Sequence, residues 1–278
     1  MLEPRSVFKA TAVNHIAYAV ADYARSRDFY MDLFGMKCVF DDGNKCSVAF
    51  GNPERAFYIG PSRQPGKQPI VDHFAISIEN FDLRAVETEL SRLGLDPEPD
   101  GDCAWTILDP DGYRVQVCAE TGVFPGAATP GATTEGKVPT ESAAARPGVF
   151  QTTAVNHIAY QVPDYARSRD FFMDLFGMKL VFEDRKKCSV AFGSPEDAIY
   201  IVPSKPPVKK PVVDHLALSI ESFNLHAVEA ELKRLGLDPE PDGDYAWTIL
   251  DPDSYRIQVC AEKGVYPGAA LDPFHTPE

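Results

Sequence analysis

The sequence is short of cationic side chains. Its 278 residues carry 27 Lys and Arg against 41 Asp and Glu, a formal net charge of −14. Nucleic acid and anionic lipid are held by clustered Lys and Arg, so neither is an expected partner. Long apolar runs are also missing. No stretch approaches the ~20 consecutive apolar residues that span a bilayer, and Met1–Thr11 has no apolar signal-peptide core. The expectation is a cytoplasmic protein with no membrane partner. Cysteine is sparse: Cys38, Cys46, Cys103, Cys118, Cys188 and Cys260, with no CxxC spacing among them. Neither a disulfide framework nor a thiolate zinc site is expected.

What the chain does have is a long internal repeat, and repeats set the architecture. A shift of 142 residues aligns Ala12–Ala128 with Ala154–Ala270 without a gap, and 89 of the 117 positions are identical. Thr129–Pro147 between the copies is rich in Pro, Gly, Ala and Thr, which predicts a flexible linker. The expected organisation is therefore a domain over 1–128, a linker over 129–147 and a second domain over 148–278, the last including the short tail Leu271–Glu278.

A fainter repeat lies inside each copy. Val13–Val20 alternates as a strand, with Ile16, Tyr18 and Val20 on one face and His15, Ala17 and Ala19 on the other. Asp22 is placed to cap a helix running to Phe34, and Gly35 sits where a left-handed C-terminal residue is wanted. Short strands are predicted over Met36–Phe40, Ser47–Phe50 and Ala56–Ile59. The pattern then restarts. Val71–Ile78 reads as a strand and Asp82 as the cap of a helix to Leu93. Further strands fall near Asp96–Glu98, Cys103–Leu108 and Tyr113–Cys118, with a tight turn at Asp109–Gly112. The fold class is α+β, with two βαβββ modules per copy and four in the chain.

Strand alternation decides which side chains share a surface. In each module's first strand the large apolar residues face one way, to cover the helix. The opposite face carries a histidine followed by small residues: His15-Ala17-Ala19 and His73-Ala75-Ser77. In the last strand Val115 and Val117 take the helix side, and Arg114, Gln116 and Cys118 the other. If the two curved sheets face each other, His15, His73 and Gln116 converge in one open cup. His157, His215 and Gln258 repeat them in the second copy.

The segments Asn14-His15-Ile16-Ala17, Phe29-Tyr30-x-x-Leu33-Phe34-Gly35-Met36, Asp72-His73-Phe74-Ala75 and Asp109-Pro110-Asp111-Gly112-Tyr113-Arg114-Val115-Gln116 resemble the vicinal oxygen chelate superfamily. That superfamily includes glyoxalases, extradiol dioxygenases, epimerases and bleomycin-binding proteins. The resemblance implies tandem βαβββ modules and, in metal-dependent members, one His from each module's first strand with a carboxylate from the last. It thus makes His15 and His73, and His157 and His215, ligands of a divalent ion (Fe, Mn, Ni or Zn). Gln116 and Gln258 stand where that carboxylate is expected. A glutamine can ligate through its amide oxygen, but it is neutral and leaves the metal more electrophilic. The further carboxylate used by glyoxalases is replaced by Tyr58, and by Tyr200 in the second copy. These tyrosines are either proton donors to substrate or hydrogen-bonded wall residues. Arg114 and Arg256 either bind a substrate carboxylate or form rim ion pairs.

Three functions follow from the resemblance. The first is a metal-dependent enzyme whose small-molecule substrate chelates the ion through adjacent oxygens, with a dioxygenase-like activity foremost. The second is a glyoxalase-like lyase or isomerase acting through an enolate. The third is a metal-free binding or drug-resistance protein, against which the paired histidines argue. Single-domain relatives commonly pair, so the fused copies are expected to form an intrachain pseudo-dimer, with further self-association left open.

Overall fold

The computed structural model describes residues 6–50, 52–62, 70–124, 148–192, 197–204, 210–263 and 265. The expected linker 129–147 and the tail 271–278 lie outside the described residues. The first copy runs β1 (Ala10–Val20), α1 (Tyr23–Phe34), β2 (Lys37–Asp41), β3 (Cys46–Phe50) and β4 (Asn52–Pro61). It continues with β5 (Ile70–Ile78), α2 (Leu83–Arg92), β6 (Glu98–Pro99), β7 (Ala104–Leu108) and β8 (Arg114–Cys118). The second copy repeats this as β9 (Thr152–Val162), α3 (Tyr165–Phe176), β10 (Lys179–Glu183), β11 (Cys188–Ala191), β12 (Ala198–Pro203), β13 (Val212–Ile220), α4 (Leu225–Arg234), β14 (Glu240–Pro241), β15 (Ala246–Leu250) and β16 (Arg256–Cys260).

The helices begin and end where the side chains direct. Asp22 accepts from the amides of Ala24 and Arg25 and so satisfies two donors that a helix start leaves unpaired. Gly35 closes α1 in the left-handed conformation, at φ 65°. Asp82 caps α2 through the amide of Ala85. In α1, Tyr30, Leu33 and Phe34 are buried; in α2, Val86 and Leu90 are. They pack with Ile16, Val20, Phe74 and Ile76 in one hydrophobic cluster.

The two modules of a copy do not form separate sheets that face each other. They join edge to edge in one eight-stranded mixed sheet of order β2-β3-β4-β1-β5-β8-β7-β6. The central pair β1/β5 is antiparallel, and the flanking pairs β1/β4 and β5/β8 are parallel. The seam therefore runs between the two histidine-bearing strands. Its register is irregular: shifts between Val13 and His15 and between Ala17 and Tyr18 make Asn14 on β1 and Asp72 on β5 the extra residues of the ladder. Each is a β-bulge, which adds twist and re-aims a side chain. The second copy bulges at Asn156 and Asp214.

The copies interlock. The turn after β15 sends the Asp251 carboxylate into the first copy, where Tyr18 and Tyr30 both donate to it. Asp253 accepts from Ser26 and pairs with Arg25. Reciprocally Asp109 accepts from Tyr160, and Asp111 from Ser168 and Arg167. Phe172 replaces Tyr30 in the second copy, so Asp109 receives one tyrosine where Asp251 receives two. The segments leading into β1 and β9 also cross over. Val7 and Phe8 donate to the carbonyls of Asp174 and Leu175, and Val149 and Phe150 to those of Asp32 and Leu33. A single core cluster holds residues of both copies.

One cross-copy contact joins a position to its own repeat. Arg55 pairs with Asp197, 142 residues later, at 3.3 Å, with both side chains mostly buried. Like residues at this place would face each other across the pseudo-two-fold axis. Arg55→Asp is expected to lower unfolding free energy by about 1–2 kcal/mol in a denaturant titration. Adding Asp197→Arg should restore most of that loss. A double variant no more stable than the single one would remove the ion pair as the reason.

Candidate functional site

The site is laid out by strand register. Across the first copy His15 faces Ala56 on one side and Ala75 on the other, Ala75 faces Gln116, and Gln116 faces Thr106. In the next row Tyr58 faces Ala17, and Ala17 faces His73. In the second copy the same row reads Tyr200, Ala159, His215 and Arg256. The histidines and the glutamine thus surround Ala75, which is fully buried. A larger side chain there would stand between them.

The imidazoles meet edge to edge. Nε2 of His15 lies 3.3 Å from Nε2 of His73, and the equivalent atoms of His157 and His215 are 3.2 Å apart. The outer nitrogens are held by the bulge residues. Nδ1 of His15 is 3.0 Å from Oδ1 of Asn14, and Nδ1 of His73 is 2.9 Å from Oδ2 of Asp72. The amide of Asn14 donates its nitrogen to Ser77, which assigns its oxygen as the acceptor toward His15. A carboxylate only accepts. Nδ1 of each ring therefore carries a proton, and Nε2 is the nitrogen that each ring turns inward toward its partner. Burial, with the neighbouring His73, holds the pKa of His15 down at about 3; burial likewise depresses His157.

This donor set fits a divalent ion. Two imidazole nitrogens bound at about 2.0–2.1 Å to one tetrahedral or octahedral ion lie about 2.9–3.4 Å apart, which brackets both observed separations. The glutamines present the matching end. The amide nitrogen of Gln116 donates to Asp100 and Thr106, and that of Gln258 to Asp242. This leaves the carbonyl oxygen as the end available to a cation, and in Gln258 that oxygen is buried with no hydrogen-bond partner. No cluster of three His, Cys, Asp or Glu with metal-holding geometry occurs among the described residues. The carboxylates stand one hydrogen bond further out, at Asp72 and Asp100.

The other expected residues fall as follows. Tyr200 lies against His157 with ring centroids 6.4 Å apart, and Tyr58 shares its face with His73. Arg114 donates to the Asp72 oxygen that holds His73, and Arg256 does the same at Asp214. The rim ion pair is thus the contact both arginines make. In the second copy Gln161, where the first has Ala19, adds a further donor to Asp214. Trp105 is a core residue whose indole donates to the carbonyl of Leu83. Asn14, Asp72 and Asp100 were missed by strand alternation. A signal for the first two existed: core residues Val13 and Ile16, and Val71 and Phe74, are three apart where a regular strand would space them by two.

The fold and this face together define a class: duplicated βαβββ cups, each with a two-histidine pair at its centre. The chain belongs to the Glyoxalase/Bleomycin resistance protein/Dioxygenase superfamily, whose family profile matches residues 12–117 and 154–259. A search of curated protein sequences gave no match. Among solved structures, the Mn(II)-bound glyoxalase from Novosphingobium aromaticivorans is similar over 94% of this chain and 84% of that one, with TM-score 0.70 and 19% identity. Homoprotocatechuate 2,3-dioxygenase from Brevibacterium fuscum, in its complex with 3,4-dihydroxyphenylacetate, covers 98% and 85% with TM-score 0.72 and 18% identity. The Arthrobacter globiformis enzyme of the same name gives 98%, 84%, 0.71 and 17%. These likenesses establish the shared fold. No helix among the described residues is long and apolar enough to cross a membrane.

The low pKa of His15 has a measurable consequence. In metal-free protein the His15 imidazole should stay neutral from pH 8 to pH 5, seen as an unchanging ring ¹⁵N shift. An unfolded histidine titrates near 6.5. Folded His15 thus refuses a proton that the unfolded chain accepts, and stability falls on this account as pH drops below about 6.5. Protonation of His15 near pH 6.5 would contradict its burial as a neutral ring.

Proposed function

We propose that the chain is a metal-dependent vicinal oxygen chelate enzyme with one divalent ion per copy. The ion would be held by His15, His73 and Gln116 and, in the second copy, by His157, His215 and Gln258. The observation that carries this reading is the pair of buried Nε2 atoms, 3.3 and 3.2 Å apart in the two copies and turned toward each other, with both Nδ1 atoms engaged elsewhere. That separation is the one two imidazoles take when both ligate a single ion.

A bound divalent cation supplies Lewis-acid polarisation of adjacent substrate oxygens and open coordination positions. The chain's own groups do the rest. Asn14 and Asp72 fix the tautomer and direction of both imidazoles, and Arg114 holds Asp72 in place. Asp100 and Thr106 turn the Gln116 amide so that its oxygen faces inward. Tyr58 and Tyr200 donate a hydrogen bond or a proton to a substrate oxygen.

The substrate is a small molecule with two neighbouring oxygens, and a dioxygenase-like activity is the first reading within the class. A lyase or isomerase acting through an enolate is the second. It is favoured by one feature, the neutral amide where an anionic ligand would lower the Lewis acidity. A metal-free binding protein would have no use for paired, tautomer-locked histidines.

Protein purified without added metal should carry, or take up on titration with Fe(II), Mn(II), Ni(II) or Zn(II), about one ion per copy. His15→Ala with His157→Ala should abolish the uptake. Gln116→Glu with Gln258→Glu should tighten it by about 10- to 100-fold. Absence of uptake by the unaltered chain would defeat the enzyme reading, and unchanged affinity in the glutamate variant would remove the glutamines from the site.

A further inference from the structure

One basic group on the histidine face is not absorbed by the ligands or their carboxylates. Lys45 lies just before β3, two residues from Ser47, which faces Tyr58 across the β3/β4 ladder. Its ammonium sits 5.5 Å from the centre of the Tyr58 ring. Lys187 stands over Tyr200 at the same 5.5 Å. The Tyr200 ring in turn lies 6.4 Å from the His157 ring. The order on the face is lysine, tyrosine, histidine pair.

The chemistry of the pair points to an anion. The ammonium and the phenol stand side by side, and the N–H groups of one and the O–H of the other are donors to a ligand on this face. Two donors of this kind, one of them charged, suit the two oxygens of a carboxylate. The interaction with Tyr58 raises the lysine's pKa and outweighs the burial that lowers it, so the group stays cationic. The guanidiniums of Arg114 and Arg256 are engaged by Asp72 and Asp214. In a chain with net charge −14 an anionic substrate meets general repulsion, and a local cation beside the site would offset it.

We propose that Lys45 with Tyr58, and Lys187 with Tyr200, form a carboxylate-holding subsite, so that the substrate is a small acid. Its adjacent oxygens go to the histidine pair, and its anionic arm reaches across the tyrosine ring to the lysine. This inference rests on the metal-enzyme reading above and adds the substrate's charge to it.

The test uses the full chain loaded with Mn(II), without oxygen, and two probes. Catechol offers adjacent oxygens alone, and 3,4-dihydroxyphenylacetate adds a carboxylate arm to the same ring. Calorimetry should find the acid bound at least 10-fold more tightly than catechol. In Lys45→Met/Lys187→Met protein that advantage should vanish, while the affinities for Mn(II) and catechol hold. Tyr58→Phe/Tyr200→Phe should reduce the advantage and leave part of it. No preference for the acid in the unaltered chain, or a preference that survives loss of both lysines, overturns the subsite. Failure of Mn(II), and of Fe(II), Ni(II) and Zn(II) tried in its place, to bind before either probe is added overturns the metal-enzyme reading and the subsite with it.

Discussion

The architecture of each copy depends on one pairing, the antiparallel seam between β1 and β5. Each module alone is a four-stranded sheet with an open edge, and unpaired edges are a hazard that folds must cover. Joining the modules at their first strands covers one edge of each, leaving β2 and β6 outermost, and brings the two histidine-bearing strands side by side. A regular antiparallel ladder would have left Asn14 and Asp72 on the helix face, buried against apolar side chains. The bulges turn them to the histidine face and supply an acceptor to each Nδ1 atom. Twist of the sheet, exclusion of polar groups from the core and orientation of the imidazoles thus share one local cause.

Much of this was legible from side-chain pattern. The helix caps Asp22, Asp82 and Gly35 act locally, through bonds reaching two to four residues, and so they can be read from a short window. The face shared by His15, His73 and Gln116 follows from alternation within strands. What could not be read was set by distant partners. A single continuous sheet, and not two facing ones, is a matter of which edges meet. Asp109–Gly112 has the composition of any tight turn, and nothing local tells that its carboxylates enter the other copy. Tyr18 and Tyr30 likewise pass for ordinary core aromatics until Asp251 is seen between them. The bulges lie between these cases: three-residue spacing of core positions marks them, though strict alternation obscures the mark.

The repeat has ceased to be a plain duplication at the places where the copies touch. Arg55 and Asp197 occupy the same position in the two copies and pair with each other. Two identical chains would bring identical charges together there. Tyr30 donates to the other copy's Asp251, and its counterpart Phe172 has no hydroxyl to donate. Fusion permits such differences because each copy always meets the other and never itself. The histidines, glutamines, tyrosines and lysines of the two cups are unchanged over the same sequence distance.

The amide in place of a carboxylate is the remaining feature that the site must accommodate. On the proposed reading the three ligating groups are neutral, yet the surroundings are not. Asp72 stands behind His73, and Asp100 behind Gln116, each joined by one hydrogen bond to the group in front. Negative charge is therefore present at one remove, where it polarises the imidazole and the amide and raises their donor strength. A carboxylate in direct contact would cancel more of the cation's charge and weaken its pull on substrate oxygens. Placing it one bond back retains that pull and still favours the cation over bulk water. Arg114, bound to Asp72, draws off part of the same charge. The exchange of Gln161 for Ala19 alters that balance in the second copy, through Asp214. On that reading, donor strength at each centre would be governed by residues that do not touch the ion, and these are the ones least visible in the bare sequence.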